Sequence, residues 1–487
     1  MKLEGRIVDS RLSWLIIALV ATLPYAGVLR APFVFDDVKL VKENELLRVE
    51  SGEAVDRFLP TFAIASREWD SDELRENYRP LRFFSYYLDY QLSRFVWGEF
   101  PADEPPTLIF HVQNLAWHLA NALLVLFLGR RLLGSRRAGF ILAVLFALHP
   151  LQTEAVTYVS GRRDVLSTFF FLAALALYLR SPAEKPLRWS VLATSPLAFA
   201  CGFFSKEMVV TLPAVVLLVD WYRRPLWEPR RVALHALLWL VALAFAGITL
   251  ANESLRAEPL VASELTSRFL MPARYALRYL FLVLLPVSQS LDYSYDAIAA
   301  SRGLFDPWTT FASLLGVALL AATALWGFVR RRAAVALGIS WFLVTLTPVL
   351  QFVPIAERFA ERFAYLPSIG ILLVVSSALA TLWKARAPLG RGLVGALALT
   401  LFLATVLRNG DWTSELAIWE AATRAQPRAA RSHLALGNAL RAERRYAEAG
   451  EAYSVALEIW ATNPEPSSLQ RGQALRARMH RGGVYAL

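Results

Sequence analysis

The chain has 487 residues, 56% hydrophobic and 19% charged, with a mean hydropathy of +0.41. That is too apolar for a water-soluble globule and marks an integral membrane protein. The net charge of +11 does not indicate nucleic acid, because the arginines fall in short clusters between apolar runs, the pattern of the positive-inside rule. A single cysteine, Cys201, excludes an intrachain disulfide, a cysteine-based zinc site and a CxxC redox pair.

At the N-terminus, Lys2, Arg6 and Arg11 precede an apolar run without an A-x-A site after it, and further runs follow, which predicts an uncleaved signal anchor. Apolar runs of roughly 17 to 25 residues are long enough to span a bilayer. They lie near 12–29, 108–128, 138–158, 165–180, 189–204, 208–222, 232–251, 309–329, 335–353, 365–383 and 392–407, about eleven crossings in an all-α polytopic fold. Basic clusters at Arg130, Arg131, Arg136 and Arg137; at Arg180, Lys185 and Arg188; at Arg223, Arg224, Arg230 and Arg231; at Arg330–Arg332; and at Lys384, Arg386 and Arg391 mark the cytoplasmic side with the N-terminus. Loops 30–107, 158–164, 252–308 and 354–364, and everything past Arg408, then face outward. The short run Tyr275–Pro286, with Arg274 and Arg278 beside its apolar residues, predicts a re-entrant or membrane-surface helix.

The first outer loop, 30–107, opens with Phe33-Val-Phe-Asp-Asp-Val-Lys39, two adjacent carboxylates just past the first span. Paired acids are common in solvated turns, but charge beside a bilayer is costly and is where a base for a lipid-borne substrate would be kept. Farther along, Trp69, Tyr78, Phe83, Phe84, Tyr86, Tyr87 and Tyr90 suit interfacial helices or an anchoring aromatic belt. The second span carries His111, Asn114, His118 and Asn121 on one face. The two histidines stand about 10 Å apart along the axis, too far for one metal ion, so interhelical hydrogen bonding is expected.

Polar groups recur at the outer ends of spans: first His149-Pro150; second Glu154; third Ser160 to Asp164; fourth Ser205-Lys206-Glu207; and fifth Glu357-Arg358 with Glu361-Arg362. Five such groups on one side predict a shared polar cavity. A phosphate leaving group on a lipid needs cationic donors, which arginine supplies as a planar fork, and a hydroxyl acceptor needs a base. Sugar transfer from a polyprenyl phosphosugar meets both needs, with Asp36 or Asp37 as base and Arg79, Arg162, Arg163, Lys206, Arg358 and Arg362 as phosphate candidates. Ion pairing at helix ends is the competing role for these cations, as for Arg358 and Glu361 at a spacing of three. No cofactor is certain; a divalent cation beside the phosphate stays open, as does His149 between substrate or metal contact and structure.

After Asp411 the chain turns to Ala, Arg and Glu with helical periodicity. Trp419 and Tyr453, and Ala422 and Ala456, stand 34 residues apart, the tetratricopeptide period. Leu436-Gly437, Ala449, Tyr453 and Ala456 fall on that repeat's small and aromatic positions. One and a half repeats cannot bury a solenoid core, so this tail (409–487, after a membrane domain 1–408) must dock, self-associate or belong to a longer array.

In Phe35-Asp36-Asp37, Tyr78-Arg-Pro-Leu81, Phe110-His111 through Asn121, His149-Pro150 to Glu154, Ser160-Gly161-Arg162 with Asp164, Lys206-Glu207, Leu291-Asp292-Tyr293-Ser294, Glu361-Arg362 through Gly370 and the repeat tail, the chain resembles the transmembrane and tetratricopeptide-repeat O-mannosyltransferase-like proteins of the GT-C glycosyltransferase class. The resemblance implies a polyprenyl-phosphate sugar donor, inversion, a catalytic acid in the first outer loop, and repeats on the same side as the site. It places Glu154, Asp164, Glu207, Asp292 and Tyr293, with His149, near substrate or metal. In eukaryotic members the sugar is mannose and the acceptor a protein Ser or Thr; in this chain the repeats are expected to present a polypeptide acceptor. The shorter tail, and Arg163 where small residues are usual, leave the acceptor open between polypeptide and a lipid or envelope glycan, with a non-enzymatic scaffold or transporter as the other class. The membrane is a bacterial inner membrane, or the endoplasmic reticulum in a eukaryote.

Overall fold

A computed structural model describes residues 11–50, 52–53, 79–101, 104–225, 227–254, 262–294, 297–352, 357–462 and 468–485, and among these the chain forms helices and no strand. Trp69 and Tyr78 lie outside the described residues. Among the described residues of the segment 30–107, one long helix forms, α2 (Pro80–Trp97), after α1 (Arg11–Thr22).

Then α3 (Leu108–Leu133) runs about 39 Å at 1.5 Å per residue. It stops at Gly134, in the left-handed region at φ +60°. Ser135 caps the next helix, α4 (Arg136–Leu148), by accepting the Ala138 amide at 3.2 Å. The two helices press close at Gly139, where a Cβ would lie 2.7 Å from the Arg130 backbone nitrogen.

The expected span 138–158 is broken. His149 is extended (φ −75°, ψ 125°) ahead of Pro150, as a pre-proline residue must be, and the chain resumes as short helical turns bent 55° from α4. The remaining apolar helices are α5 (Arg162–Leu179), α6 (Trp189–Phe203), α7 (Leu212–Arg223), α8 (Pro229–Ser254), α9 (Ala262–Leu284), α10 (Thr309–Val329), α11 (Ala333–Leu346), α12 (Tyr365–Ala385) and α13 (Ala387–Gly410).

Five helices among the described residues are long and apolar enough to cross a membrane, the bent pair can make a sixth, and Leu12–Val28, Trp189–Phe203 and Ala333–Val349 are shorter apolar helices. Two of the expected spans meet neither description: α5 opens on Arg162, Arg163 and Asp164, and α7 has 12 residues.

At the centre, α4 packs against α3 and α12, and α12 against α11. Around them α8, α10 and α13 leave Leu240, Leu243, Leu319 and Leu407 exposed, an apolar rim suited to lipid. The basic connections neighbour one another in pairs: Arg137 lies 5.5 Å from the Trp383 ring, Arg230 donates to the Leu187 carbonyl at 3.2 Å, and Tyr222 donates to the Arg331 carbonyl at 2.8 Å. The C-terminal end of α9 meets the break after α4, where the Val283 carbonyl is 2.9 Å from His149 Nε2.

The tail forms α14 (Glu415–Ala425), α15 (Ala430–Ala442), α16 (Tyr446–Ala461) and α17 (Ser468–Tyr485). Gly437 lets α15 and α16 approach: a Cβ there would lie 2.5 Å from the Tyr453 ring. Its first helix docks on the membrane domain, where Trp412, Ile418 and Trp419 share an apolar cluster with Val34, Tyr158 and Leu291.

Candidate functional site

The loop after α1 is held at three consecutive residues. Phe35 donates its amide to Glu415 Oε2 at 3.0 Å, Asp36 donates its amide to the Tyr158 hydroxyl at 3.1 Å, and Asp37 Oδ1 accepts the Ser160 amide at 2.7 Å and its hydroxyl at 2.5 Å. The two acids therefore differ in surroundings. Asp37 is 1% exposed, and burial pushes it up to about 7 although the Ser160 hydrogen bonds favour its charged form. Asp36 is half-buried and faces a cavity of about 460 Å³ that it lines with Phe35, Val38, Lys39 and Glu43.

Gly161 makes the Ser160 contact feasible. A Cβ there would stand 2.5 Å from the Glu154 carbonyl and 2.7 Å from that of Ala155, so only glycine lets this turn close on the preceding one.

Behind Tyr158 lies a buried ionic network. Lys206 Nζ is 2.5 Å from Asp164 Oδ1; Arg362 pairs with Glu154 and Glu357; and Arg163 lies 3.7 Å from Asp164 and 3.4 Å from Glu357. Three cations thus meet three carboxylates, as burial demands. The Arg362 guanidinium lies 6.0 Å from the Tyr158 ring, which also bonds Asp36. Arg79 and Glu207 form a separate pair through bonds of 3.0 and 3.1 Å.

Several expected site residues are engaged structurally. Arg162 pairs with Asp89 and donates to Asn114 at 2.7 Å, Gln113 at 2.6 Å and the Phe110 carbonyl at 2.8 Å, fastening α2 to α3 and α5 with no fork left over. Both His149 ring nitrogens are taken, by the Val283 carbonyl and the Leu151 amide. Asp292 faces the tail, accepting from Arg431 at 2.6 Å and Ser432 at 2.9 Å, and Tyr293 donates to Glu361 at 2.6 Å. Arg358 is exposed. His111, Asn114, His118 and Asn121 each bond a neighbouring segment, among them Ala31, Val156, Ala147 and Val165. Among the described residues no three His, Cys, Asp or Glu side chains converge where a metal ion could sit.

One residue the motifs did not point to completes the site. Arg82, on the first turn of α2, is 0% exposed, and among the described residues no hydrogen-bond acceptor meets any of its three nitrogens. Its guanidinium rests 4.5 Å from the Phe83 ring. Burial pushes it down to about 9, and it lies in the fields of Arg79, Arg163 and Asp36. A buried guanidinium without an acceptor is costly, and it lies within the electrostatic reach of the half-buried acid.

No protein-family model matches the chain. A protein O-mannosyl-transferase of Caenorhabditis elegans is 26% identical over 453 residues, 88% of this chain and 59% of its own length. The protein O-mannosyl-transferase TMTC3 of Mus musculus is 24% identical over 96% of this chain and 53% of its own length, and TMTC4 of Homo sapiens 26% identical over 88% and 63%. The chain thus spans roughly half to three fifths of these relatives. A solved oligosaccharyltransferase of Archaeoglobus fulgidus superposes with a TM-score of 0.41 at 14% identity, covering 96% of this chain and 63% of its own.

Proposed function

We propose that this chain, a relative of the transmembrane and tetratricopeptide-repeat O-mannosyltransferases, moves a sugar, mannose by analogy, from a polyprenyl-phosphate donor to a hydroxyl of a polypeptide Ser or Thr. In this reading Asp36 takes the hydroxyl proton as the acceptor oxygen bonds the anomeric carbon. The carbon–oxygen bond to phosphate breaks with inversion, and the phosphate leaves with the electron pair toward Arg82, flanked by Arg79 and Arg163. Arg362 and Lys206 hold the floor beneath them through Glu154 and Asp164. The reaction takes place on the face away from the basic connections, across about eleven crossings, in a GT-C-type membrane domain, with α14 to α17 as tetratricopeptide-like repeats that present the acceptor.

The observation that carries this reading is that a half-buried carboxylate on a cavity acts electrostatically on a buried guanidinium that, among the described residues, lacks an acceptor. Radiolabelled polyprenyl-phosphate mannose, incubated with purified protein and fractionated into protein, lipid and polysaccharide, tests it. Label should enter protein, and Asp36→Asn should lower transfer about 100- to 10,000-fold. Full transfer by that variant would refute the base, and label confined to lipid or polysaccharide would refute the acceptor.

A further inference from the structure

We infer that Glu415, in the tail, is a positioning residue for Asp36, so that the first tail helix belongs to the active site. The inference rests on the proposed role of Asp36 as base. Phe35, immediately before Asp36, has φ +52°, the left-handed region that a bulky side chain rarely adopts. Something must hold it there, and the groups that do so come from the tail. The Glu415 carboxylate bridges the two partners: Oε2 accepts the Phe35 amide at 3.0 Å and Oε1 accepts Trp419 Nε1 at 2.6 Å. The Trp419 ring meets the Phe35 ring edge-on at 5.4 Å, and the Arg431 guanidinium lies 5.9 Å from the same ring.

Glu415 is itself fixed. It is the first residue of α14, behind Ser414, whose hydroxyl accepts the Ala417 amide at 3.0 Å, and a carboxylate is favoured at a helix N-terminus. From the other side Ser160 holds Asp37. With Phe35 and Asp37 both anchored, the Asp36 side chain faces the cavity; without the Glu415 bond, Phe35 relaxes toward ordinary φ and rotates the following residue.

The test uses the full chain in detergent micelles, with radiolabelled polyprenyl-phosphate mannose and the acceptor fraction that the wild type labels, plus hydrogen–deuterium exchange of the 33–39 peptide. Glu415→Ala should lower kcat about 5- to 30-fold, the population lost when a left-handed residue is released. Donor KM should stay within about twofold, and exchange over 33–39 should rise. Adding Phe35→Asn, a residue that tolerates this φ, should restore at least part of kcat and protection. If Glu415→Ala leaves both kcat and exchange unchanged, the inference fails, whatever Asp36→Asn does. A fall in activity that comes with a collapse in Tm and resists Phe35→Asn likewise overturns it in favour of a merely structural contact. If exchange rises in Glu415→Ala but Asp36→Asn keeps full activity, the base assignment has failed, and the positioning role of Glu415 falls with it.

Discussion

Replacing Arg82 with methionine should make the resting protein more stable and impair its chemistry. The guanidinium is wholly buried, and burial pushes its pKa from the ordinary arginine range down to about 9. At about 1.4 kcal/mol per unit this corresponds to an order-of-magnitude penalty of about 5 kcal/mol on the charged form. The Phe83 ring at 4.5 Å returns roughly 0.5–2 kcal/mol as a cation–π contact, and exchanging a buried charge for a packed apolar chain typically recovers about 1–4 kcal/mol. A net gain of about 1–3 kcal/mol is therefore expected for Arg82→Met. The assay is thermal unfolding in micelles followed by tryptophan fluorescence, with and without polyprenyl phosphate. Wild type should gain Tm on adding the phosphate, since a ligand that binds only the folded state stabilises it. Arg82→Met should start higher, gain nothing and lose transfer. A variant that is less stable than wild type and still responds to polyprenyl phosphate would refute both the missing acceptor and the phosphate role.

Asp37 should make stability depend on pH. Its folded value of about 7 lies above the ordinary 3.8, so between these the folded state keeps a proton that the unfolded chain releases, and stability falls as pH rises from about 4 to about 7. Wild type should lose stability between pH 5 and pH 8 relative to Asp37→Asn, by about 3 kcal/mol at most, read as a fall in Tm; parallel curves for the two proteins would contradict this. Gly161→Ala should cost about 1–3 kcal/mol, because the new methyl meets backbone carbonyls that cannot yield. Lower Tm together with weaker transfer is expected, and an unchanged Tm would show that the turn has room.

Much of the polar layer is legible in the sequence because charge beside apolar runs must find partners. Glu154, Asp164, Lys206 and Arg362, scattered over more than 200 positions, do meet in one network. What each charge does there is not legible. Arg162 reads as a phosphate fork until Asp89, an acid on an aromatic-rich helix, is found to consume it. Arg82 looks like any helical arginine, since a sequence records which groups exist and not which lack a partner. Asp292 is singled out by the family resemblance alone, and its bond to Arg431 of the tail has no signal in the sequence. The break at His149 does have a signal, the following proline, which the apolarity of 138–158 outweighs when that stretch is read for length alone.

Two neighbouring acids with opposite surroundings follow from the geometry of this loop. With φ positive at Phe35, the backbone folds back so that Asp37 turns under the loop to Ser160 while Asp36 is left at the cavity. Burial that holds Asp37 near 7 also lessens, at neutral pH, the negative charge facing its neighbour, since like charges in adjacent carboxylates oppose each other. In the same twist the Phe35 amide is taken by Glu415. A separation of the tail from the membrane domain would therefore disturb both the aim of Asp36 and the seat of Asp37, whereas a change confined to α16 or α17, which pack on α15 and on each other, would leave the loop intact.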